Sequence, residues 1–491
     1  MTSDPTQAAD ALRTFRSILL EIRYDDINRA VRTDSYFGEP FVSASEAPLV
    51  RHRLAALGAA AAPVVRLLLL GDAVPAAAVR AILPQDVMDS LAGLSLLSAA
   101  ADHVRAPYAA LASLDGQYFW ANRQSPETRH EDFAVYLGAD SYRLAHHIPA
   151  LPGRRVLDLC CGSGFLAIRA AARRGVAAAV GLEIEPRAVA IARVNAMLNG
   201  LDDIVSFRES DGCGALAAGE HFDLIACNAP YVPMAPDLQL PVSGHGGSLG
   251  LDFIARFLDE LPAVMTEGAQ AIFVIGCLGT AQGPVLEDLL ATHLREHPDH
   301  AATLVLGFRG LMDDAYLRQL TVAVTKYGAS RQLSEEEIAA KVAAHFAKTG
   351  LDFVYPRSIL IVDRSARAER RGSLTVARAY NPWDTTTIPR WSYVPSGSPV
   401  QAHALNLISG GTFSITPQDA PFFATLDGKR SVAELVSRSN LEGSFGRPKG
   451  DRSVLQILLN RCYELEVRGA IARVSLRDAF ADLAGKVADS D

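Results

Sequence analysis

A surplus of positive charge, paired cysteines, a basic leader and an unbroken apolar span are all missing from this chain. Acidic residues outnumber basic ones, 55 to 47, for a formal net charge of −8. That balance disfavours a dedicated nucleic-acid binder, which presents a basic face to phosphates. The 6 cysteines form no Cys-x-x-Cys pair, and the adjacent Cys160 and Cys161 do not suit one metal ion. They read as small apolar fillers of a reduced protein, with no metal site. Met1-Thr2-Ser3-Asp4-Pro5 offers no basic region leading into an apolar core, so no signal peptide is expected. The longest apolar stretch, Leu54 to Leu70, is interrupted by Pro63 and Arg66. It falls short of a membrane span. A cytoplasmic location with no membrane partner is the expectation.

What is present is enough apolar material for several cores: 49% of 491 residues are hydrophobic. That length implies roughly two to four domains. Residues 1–104 read as mainly helical, a recognition or dimerisation domain, with Leu12, Phe15, Leu19 and Ile22 at helical spacing. Residues 105–150 read as a strand-containing connector. Ala106–Leu114 and Gln117–Asn122 flank an Asp115-Gly116 turn, Phe133–Leu137 is a further apolar stretch, and Ser141 is a candidate cap for a helix Tyr142–Ile148.

From Arg155 the texture changes to strand–helix alternation through residue 363. Arg155–Leu159, Ala178–Leu182, Val205–Arg208, Leu224–Cys227 and Gln270–Ile275 read as strands, with helices at Phe165–Arg174 and Pro186–Asn199. Later strands are expected at Leu304–Phe308, Leu320–Thr325 and Ser358–Val362, with a helix near Glu335–Lys348. Such alternation predicts a parallel sheet covered by helices on both faces, an α/β class. Residues 364–400, rich in arginine and proline, read as a linker or elaborated loop, and 401–491 as a small α+β domain.

Two motifs carry the chemistry. The first is Asp158-Leu159-Cys160-Cys161-Gly162-Ser163-Gly164, after the first strand of the alternating region. Glycines there let backbone approach a ligand, and the next helix offers free N–H groups. The dinucleotide fingerprint G-x-G-x-x-G is lacking, and Asp158 would repel a pyrophosphate while suiting a cationic amino group. Glu183, ending the second strand, is placed to accept from ribose hydroxyls, and Asp211, after the third, from an adenine amino group. A ligand with an amino acid end, a ribose and an adenine is S-adenosylmethionine. The second motif, Asn228-Ala229-Pro230-Tyr231, closes the apolar strand Phe222–Cys227. Asn228 and the Ala229 carbonyl offer N–H acceptors to a planar nitrogen, and Tyr231 a stacking surface.

Here the sequence resembles the class I S-adenosylmethionine-dependent methyltransferases over roughly residues 140–330. Their fold is a Rossmann-like α/β core. The resemblance implies S-adenosylmethionine as cofactor, bound by Asp158, Cys160, Gly162, Gly164, Glu183, Asp211 and Asn228. Cys160 stands where many members have glycine. Asn228-Ala229-Pro230-Tyr231 resembles the N-P-P-Y signature of nitrogen methyltransferases, with Ala229 replacing the first proline and Asn228, Ala229, Pro230 and Tyr231 as the catalytic set. The downstream stretch 243–258, "SGHGGSLGLDFIARFL", resembles that of release-factor glutamine methyltransferases. Within it His245 is either an acid–base group or a solvated loop histidine, while Asp252 and Phe253 read as the start of a helix.

The implied activity is methyl transfer to a nitrogen, amide or amine, of a peptide, protein or amino-acid-derived metabolite. Alternatives are a natural-product N- or O-methyltransferase, or one acting on an exocyclic base amine of RNA or DNA. Of the flanking aromatics, Tyr36, Phe37, Tyr118, Phe119 and Trp120 read as core or dimer contacts before a substrate mouth. A homodimer remains open. The C-terminal stretch "FFATLDGKRSVAELV" weakly resembles small winged-helix peptide-binding modules.

Overall fold

Leu12, Phe15 and Leu19 give the first helix, α1 (Pro5–Glu21), one wholly buried stripe. It packs beside α2 (Tyr24–Val31), α3 (Ala47–Leu57), α4 (Ala62–Val65) and a π-helical turn, Arg66–Leu70. The computed structural model describes residues 5–377 except 33–39, 44–45, 101, 108, 115, 124–134, 149–152, 281, 307–309, 329–331 and 365–369, and beyond them only 393–395, 404–406, 412–414 and 471–473.

The first hundred residues are not helices alone. A short strand β1 (Val74–Pro75) is followed by α5 (Ala76–Arg80), α6 (Gln85–Gly93) and the strands β2 (Ser98–Ala100) and β3 (His103–Arg105). These strands form an antiparallel sheet in the order β1-β3-β2, a helix–turn–helix with a hairpin on its edge. The C-terminal segment, for which the sequence suggests a winged helix, lies almost wholly outside the described residues, as do Tyr36 and Phe37.

A second hairpin, β4 (Ala109–Leu114) and β5 (Gln117–Asn122), follows in full register. Tyr118, Phe119 and Trp120 on it are buried core residues and do not line a mouth. The described part of Phe133–Leu137 is not a strand: Val135 exchanges backbone and side-chain hydrogen bonds with Asn122 instead. Then α7 (Ala139–His147) begins at Gly138, so Ser141 lies inside the helix and does not cap it.

The main sheet comprises β6 (Arg155–Leu159), β7 (Ala178–Glu183), β8 (Val205–Glu209), β9 (Phe222–Cys227), β10 (Met265–Gly279), β11 (Ala301–Val305), β12 (Gly310–Leu311), β13 (Phe353–Asp363) and β14 (Leu374–Ala377). Its order is β14-β11-β13-β10-β9-β6-β7-β8, with β12 pairing β13. From β6 the chain runs outward through β7 and β8, then returns to β9 on the other side. That reversal between β6 and β9 is the switch point where open α/β sheets hold ligands. The sheet is not all parallel. β13 runs antiparallel between β10 and β11. The apolar run 359–362 within β13 carries no mark of its direction, so the sequence does not show this.

Alternate residues face opposite layers. Val156, Leu224 and Ala226 face α7, α8 (Phe165–Arg174) and α9 (Pro186–Asn199), while Leu157, Leu159, Ile225 and Cys227 face α10 (Asp252–Val264) and α11 (Leu286–Glu296). The expected strand Leu320–Thr325 is instead part of a helix, α12 (Asp314–Tyr327). Leu317, Leu320 and Val324 recur at helical spacing and pack on Ile338, Val342 and Phe346 of α13 (Glu335–Thr349). That helix opens on a complete capping box of Ser334 and Glu337. Tertiary packing overrides the β-branched bias of Thr321, Val322 and Val324.

The N-terminal layer meets the sheet domain through side chains of α9. Asn199 bonds the N–H and C=O of Tyr118, and Asn195 those of Trp120. Asn195 also donates to the Ser163 carbonyl, in the glycine-rich turn. Asn195→Ala strands three buried backbone groups and is expected to destabilise the protein by about 3 kcal/mol, measured by urea denaturation with the m-value unchanged.

Candidate active site

Asp158 stands on the β6 residue that faces α8, and is 1% exposed. Its Oδ2 accepts the Ala167 N–H at 2.9 Å, while its buried Oδ1 has no partner. Burial, and secondarily the charge of Glu183, pushes its carboxyl up to about 8. A buried carboxylate oxygen without a donor is the feature a ligand cation would satisfy.

The turn after β6 is built from three left-handed residues, with φ of 58° at Cys160, 50° at Gly162 and 75° at Gly164. Glycine adopts that region freely; for cysteine it costs about 1–2 kcal/mol. A Cβ on Gly164 would lie 2.5 Å from the Phe207 ring, so the turn admits no side chain there. The Gly162 N–H donates to Glu183 Oε2 at 2.9 Å, and Glu183 Oε1 accepts from Ile184 and Glu185. Those bonds tie the turn to the end of β7. Burial raises the Glu183 carboxyl, against the pull of these N–H groups. The thiols of Cys160 and Cys161 are pushed well up by burial, so they are inert fillers here.

These residues line one cavity of about 360 Å³: Asp158, Cys160, Gly162, Glu183, Asp211 and Asn228 all reach it. Pro230 and His245 line it too. Gly164 does not; it shapes the turn from behind. Asp211 is 66% exposed by its side chain and paired with Arg256 at 2.7 Å. Arg256 lies over the Phe253 ring, 5.0 Å from its centroid. Phe253 therefore both opens α10 and lines the cavity, as does Arg256. Both lie in the stretch 243–258, where Phe253 reads only as the start of a helix; their further signal is the i, i+3 spacing that puts both on one helix face.

A second cavity of about 220 Å³ adjoins the first and shares Tyr136, Asn228 and Ser243 with it. Ala229 and Tyr231 line this second space, with Leu240, Pro241, Ala323 and Tyr327. Asn228, Ala229 and Tyr231 thus sit together, and Pro230 faces the first cavity. With Nδ2 of Asn228 assigned to Ser141 Oγ at 2.9 Å, its Oδ1 is left as an acceptor. Ser141 is therefore a positioning residue for Asn228. The Tyr231 hydroxyl donates to Asp140 Oδ2 at 3.1 Å. The glycines of 243–258 wrap this residue: a Cβ on Gly246 or Gly250 would strike the Tyr231 backbone at 2.7 and 2.4 Å. His245 has a buried Nδ1 without a partner.

Residues 137–237 match the profile of the methyltransferase small domain. Among relatives, a putative protein N5-glutamine methyltransferase of Methanocaldococcus jannaschii is 34% identical over 133 residues, covering 26% of this chain and 65% of the relative. The ribosomal protein uL3 glutamine methyltransferase of Bordetella pertussis is 33% identical over 130 residues, 25% of this chain and 43% of its own. The ribosomal protein L11 methyltransferase of Escherichia coli is 40% identical over 109 residues, 21% of this chain and 35% of that protein. This chain thus spans 35% to 65% of the length of these relatives. Among solved structures, a SAM-dependent methyltransferase from Geobacter sulfurreducens with bound S-adenosyl-L-homocysteine covers 47% of this chain and 91% of its own, at 17% identity and a TM-score of 0.28. The matched segment is thus similar to methyltransferase domains, in line with the class I S-adenosylmethionine-dependent family that its motifs resemble.

The donors present fit that cofactor: an orphaned buried carboxylate oxygen at Asp158, a carboxylate at Glu183 and a turn with glycine at 162 and 164. An ammonium group pairs with ionised Asp158, whereas burial favours the protonated carboxyl below about 8. Affinity for S-adenosylhomocysteine is therefore expected to fall as pH drops from 8 to 6, by up to about tenfold per unit, with one proton released on binding. Calorimetry in buffers of differing ionisation heat measures both effects, and Asp158→Asn should weaken binding and flatten the slope. A slope unchanged in that variant would refute the assignment.

Proposed function

We propose that this chain transfers a methyl group from S-adenosylmethionine to a nitrogen of a peptide or protein acceptor. The observation that carries the reading is the place of Asn228, which lines both cavities. A group reaching Asn228 from the smaller cavity arrives beside a ligand held in the larger one. Bound there, the cofactor supplies an electrophilic sulfonium methyl.

The chain's own residues do the rest. Asp158 and Glu183 anchor the donor through charge and hydrogen bonds. Asn228 Oδ1, oriented by Ser141, and the Ala229 carbonyl accept N–H bonds from the acceptor and so fix the direction of its lone pair. Tyr231 walls the acceptor, and its hydroxyl is held by Asp140. Orientation of this kind needs no strong base at the moment of transfer. The relatives named as glutamine methyltransferases of proteins support a protein-borne nitrogen. The extra segments, 1–104 and 401–491, are proposed to hold the acceptor or a second copy of the chain.

Removing an aligning acceptor costs about 10²–10³-fold in rate when it acts mainly in the transition state. Asn228→Ala is accordingly expected to lower methyl transfer to peptide acceptors by that factor, while S-adenosylhomocysteine binds within about threefold of wild type. Transfer of labelled methyl groups, read by mass spectrometry, measures the first quantity and calorimetry the second. An Asn228→Ala protein with wild-type turnover would sink the reading.

The left-handed position at Cys160 gives an independent check. Cys160→Gly should bind the cofactor as well as wild type and be equally or more stable. Cys160→Val, β-branched where φ is positive, should lose about 1–2 kcal/mol in thermal or urea unfolding.

A further inference from the structure

The smaller cavity has a chemical character that the nitrogen-transfer reading leaves unused. Its charged wall group is Asp140, and among the described residues lining it none is a lysine, arginine or histidine. Tyr136 and Tyr231 share the wall with it, as does Tyr327, whose ring already carries the Lys326 ammonium 4.8 Å from its centroid. Aromatic faces attract cations, and a carboxylate among them adds a full negative charge. At about 220 Å³ the space is smaller than the roughly 300–1,000 Å³ of drug-sized sites. The end of an alkyl chain is of a size to enter it.

Asp140 is held in place and left with capacity to spare. Oδ1 accepts the Tyr136 hydroxyl at 3.1 Å and the Ser141 N–H at 2.8 Å. Oδ2 accepts the Tyr231 hydroxyl at 3.1 Å. A carboxylate has about four lone-pair sites, so three donors leave one for a ligand. The local backbone is shaped for this contact. A Cβ on Gly138 would lie 2.0 Å from the Tyr136 hydroxyl and 2.9 Å from Asp140 Oδ1, so a side chain there would push the two apart.

We propose that this chamber recognises a primary alkylammonium group, such as the end of a lysine side chain, with Asp140 as the residue that selects it over a neutral amide or an anion. The inference rests on the reading that Asn228 joins a cofactor cavity to an acceptor cavity. Recognition is of the charged form; transfer needs the neutral amine, formed by loss of one proton to solvent.

The test is a binding measurement on the full chain saturated with S-adenosylhomocysteine. The probes are n-butylammonium, butanamide and butyrate, followed by ligand-observed magnetic resonance. Wild type is expected to bind n-butylammonium at least tenfold more tightly than butanamide, and butyrate not at all. Asp140→Asn should erase that preference while the melting temperature and S-adenosylhomocysteine affinity stay at wild-type values. Tyr136→Phe, which keeps the carboxylate and removes one of its donors, should retain the preference and guards against a folding artefact at Asp140. Butanamide binding as tightly as n-butylammonium overturns the proposal, as does an undiminished preference in Asp140→Asn or no ammonium binding. Failure of S-adenosylhomocysteine itself to bind would instead remove the transferase reading and leave the ammonium result to be judged alone.

Discussion

Four backbone groups on one strand edge determine how this molecule is assembled. β5 has β4 on one side, and its other edge would expose the N–H and C=O of Tyr118 and Trp120. Buried backbone groups without partners are costly. Here Asn195 and Asn199 on α9 satisfy all four, as a neighbouring strand would. Both asparagines are buried, so neither has water to fall back on. Asn195 then spends its remaining donor on the Ser163 carbonyl, inside the turn that shapes the larger cavity. The hairpin, α9 and the cofactor turn are thereby one hydrogen-bonded unit. Any shift of the N-terminal layer must be felt at that turn, because the same amide group holds both.

The turn is also where chain chemistry is under most constraint. Three residues in five adopt positive φ, and only two of them are glycine. Cys160 bears the strain because its neighbours fix it: Cys161 N–H bonds Leu182, and Gly162 N–H bonds Glu183. Strain held by surrounding bonds in this way is typical of ligand-binding turns. The glycines after Tyr231 serve a different purpose. Gly246 is needed because the Tyr231 backbone runs close beside it, and Gly250 for that reason and for its left-handed φ of 77°.

Much of this was legible before any coordinates. The run from Asp158 to Gly164, Glu183 and the Asn228–Tyr231 stretch each couple a strand end to residues of specific chemistry, and local sequence carries that pattern. The helix Pro186–Asn199 was legible for the same reason, with proline at its start and a left-handed Gly200 after it. What escaped was decided at a distance. Thr321, Val322 and Val324 look like a strand until α13 supplies a partner for the helical face. The direction of β13 is invisible because apolar strands read alike both ways. Asp140 escaped because its meaning comes from Tyr136 and Tyr231, the second of which is remote in sequence. Arg256 escaped likewise, since it pairs with Asp211 only once α10 crosses the end of β8.

The two cavities divide the electrostatic work between carboxylates in unlike surroundings. Asp158 is buried, its Oδ1 has no partner, and burial pushes its carboxyl up to about 8. It is a group waiting for a cation, and burial makes its pairing strong when one arrives. Asp140 is half-buried and already receives three donors, which fix its orientation before any ligand enters. The first arrangement favours tight and slow exchange; the second favours discrimination by charge with little reorganisation. Between them stands Asn228, an uncharged acceptor whose orientation is fixed by a serine. On the proposed reading, a neutral group at the junction is what the chemistry requires. A charge there would bind whichever cation came first and hold it, whereas an amide oxygen only aims the nitrogen that reaches it.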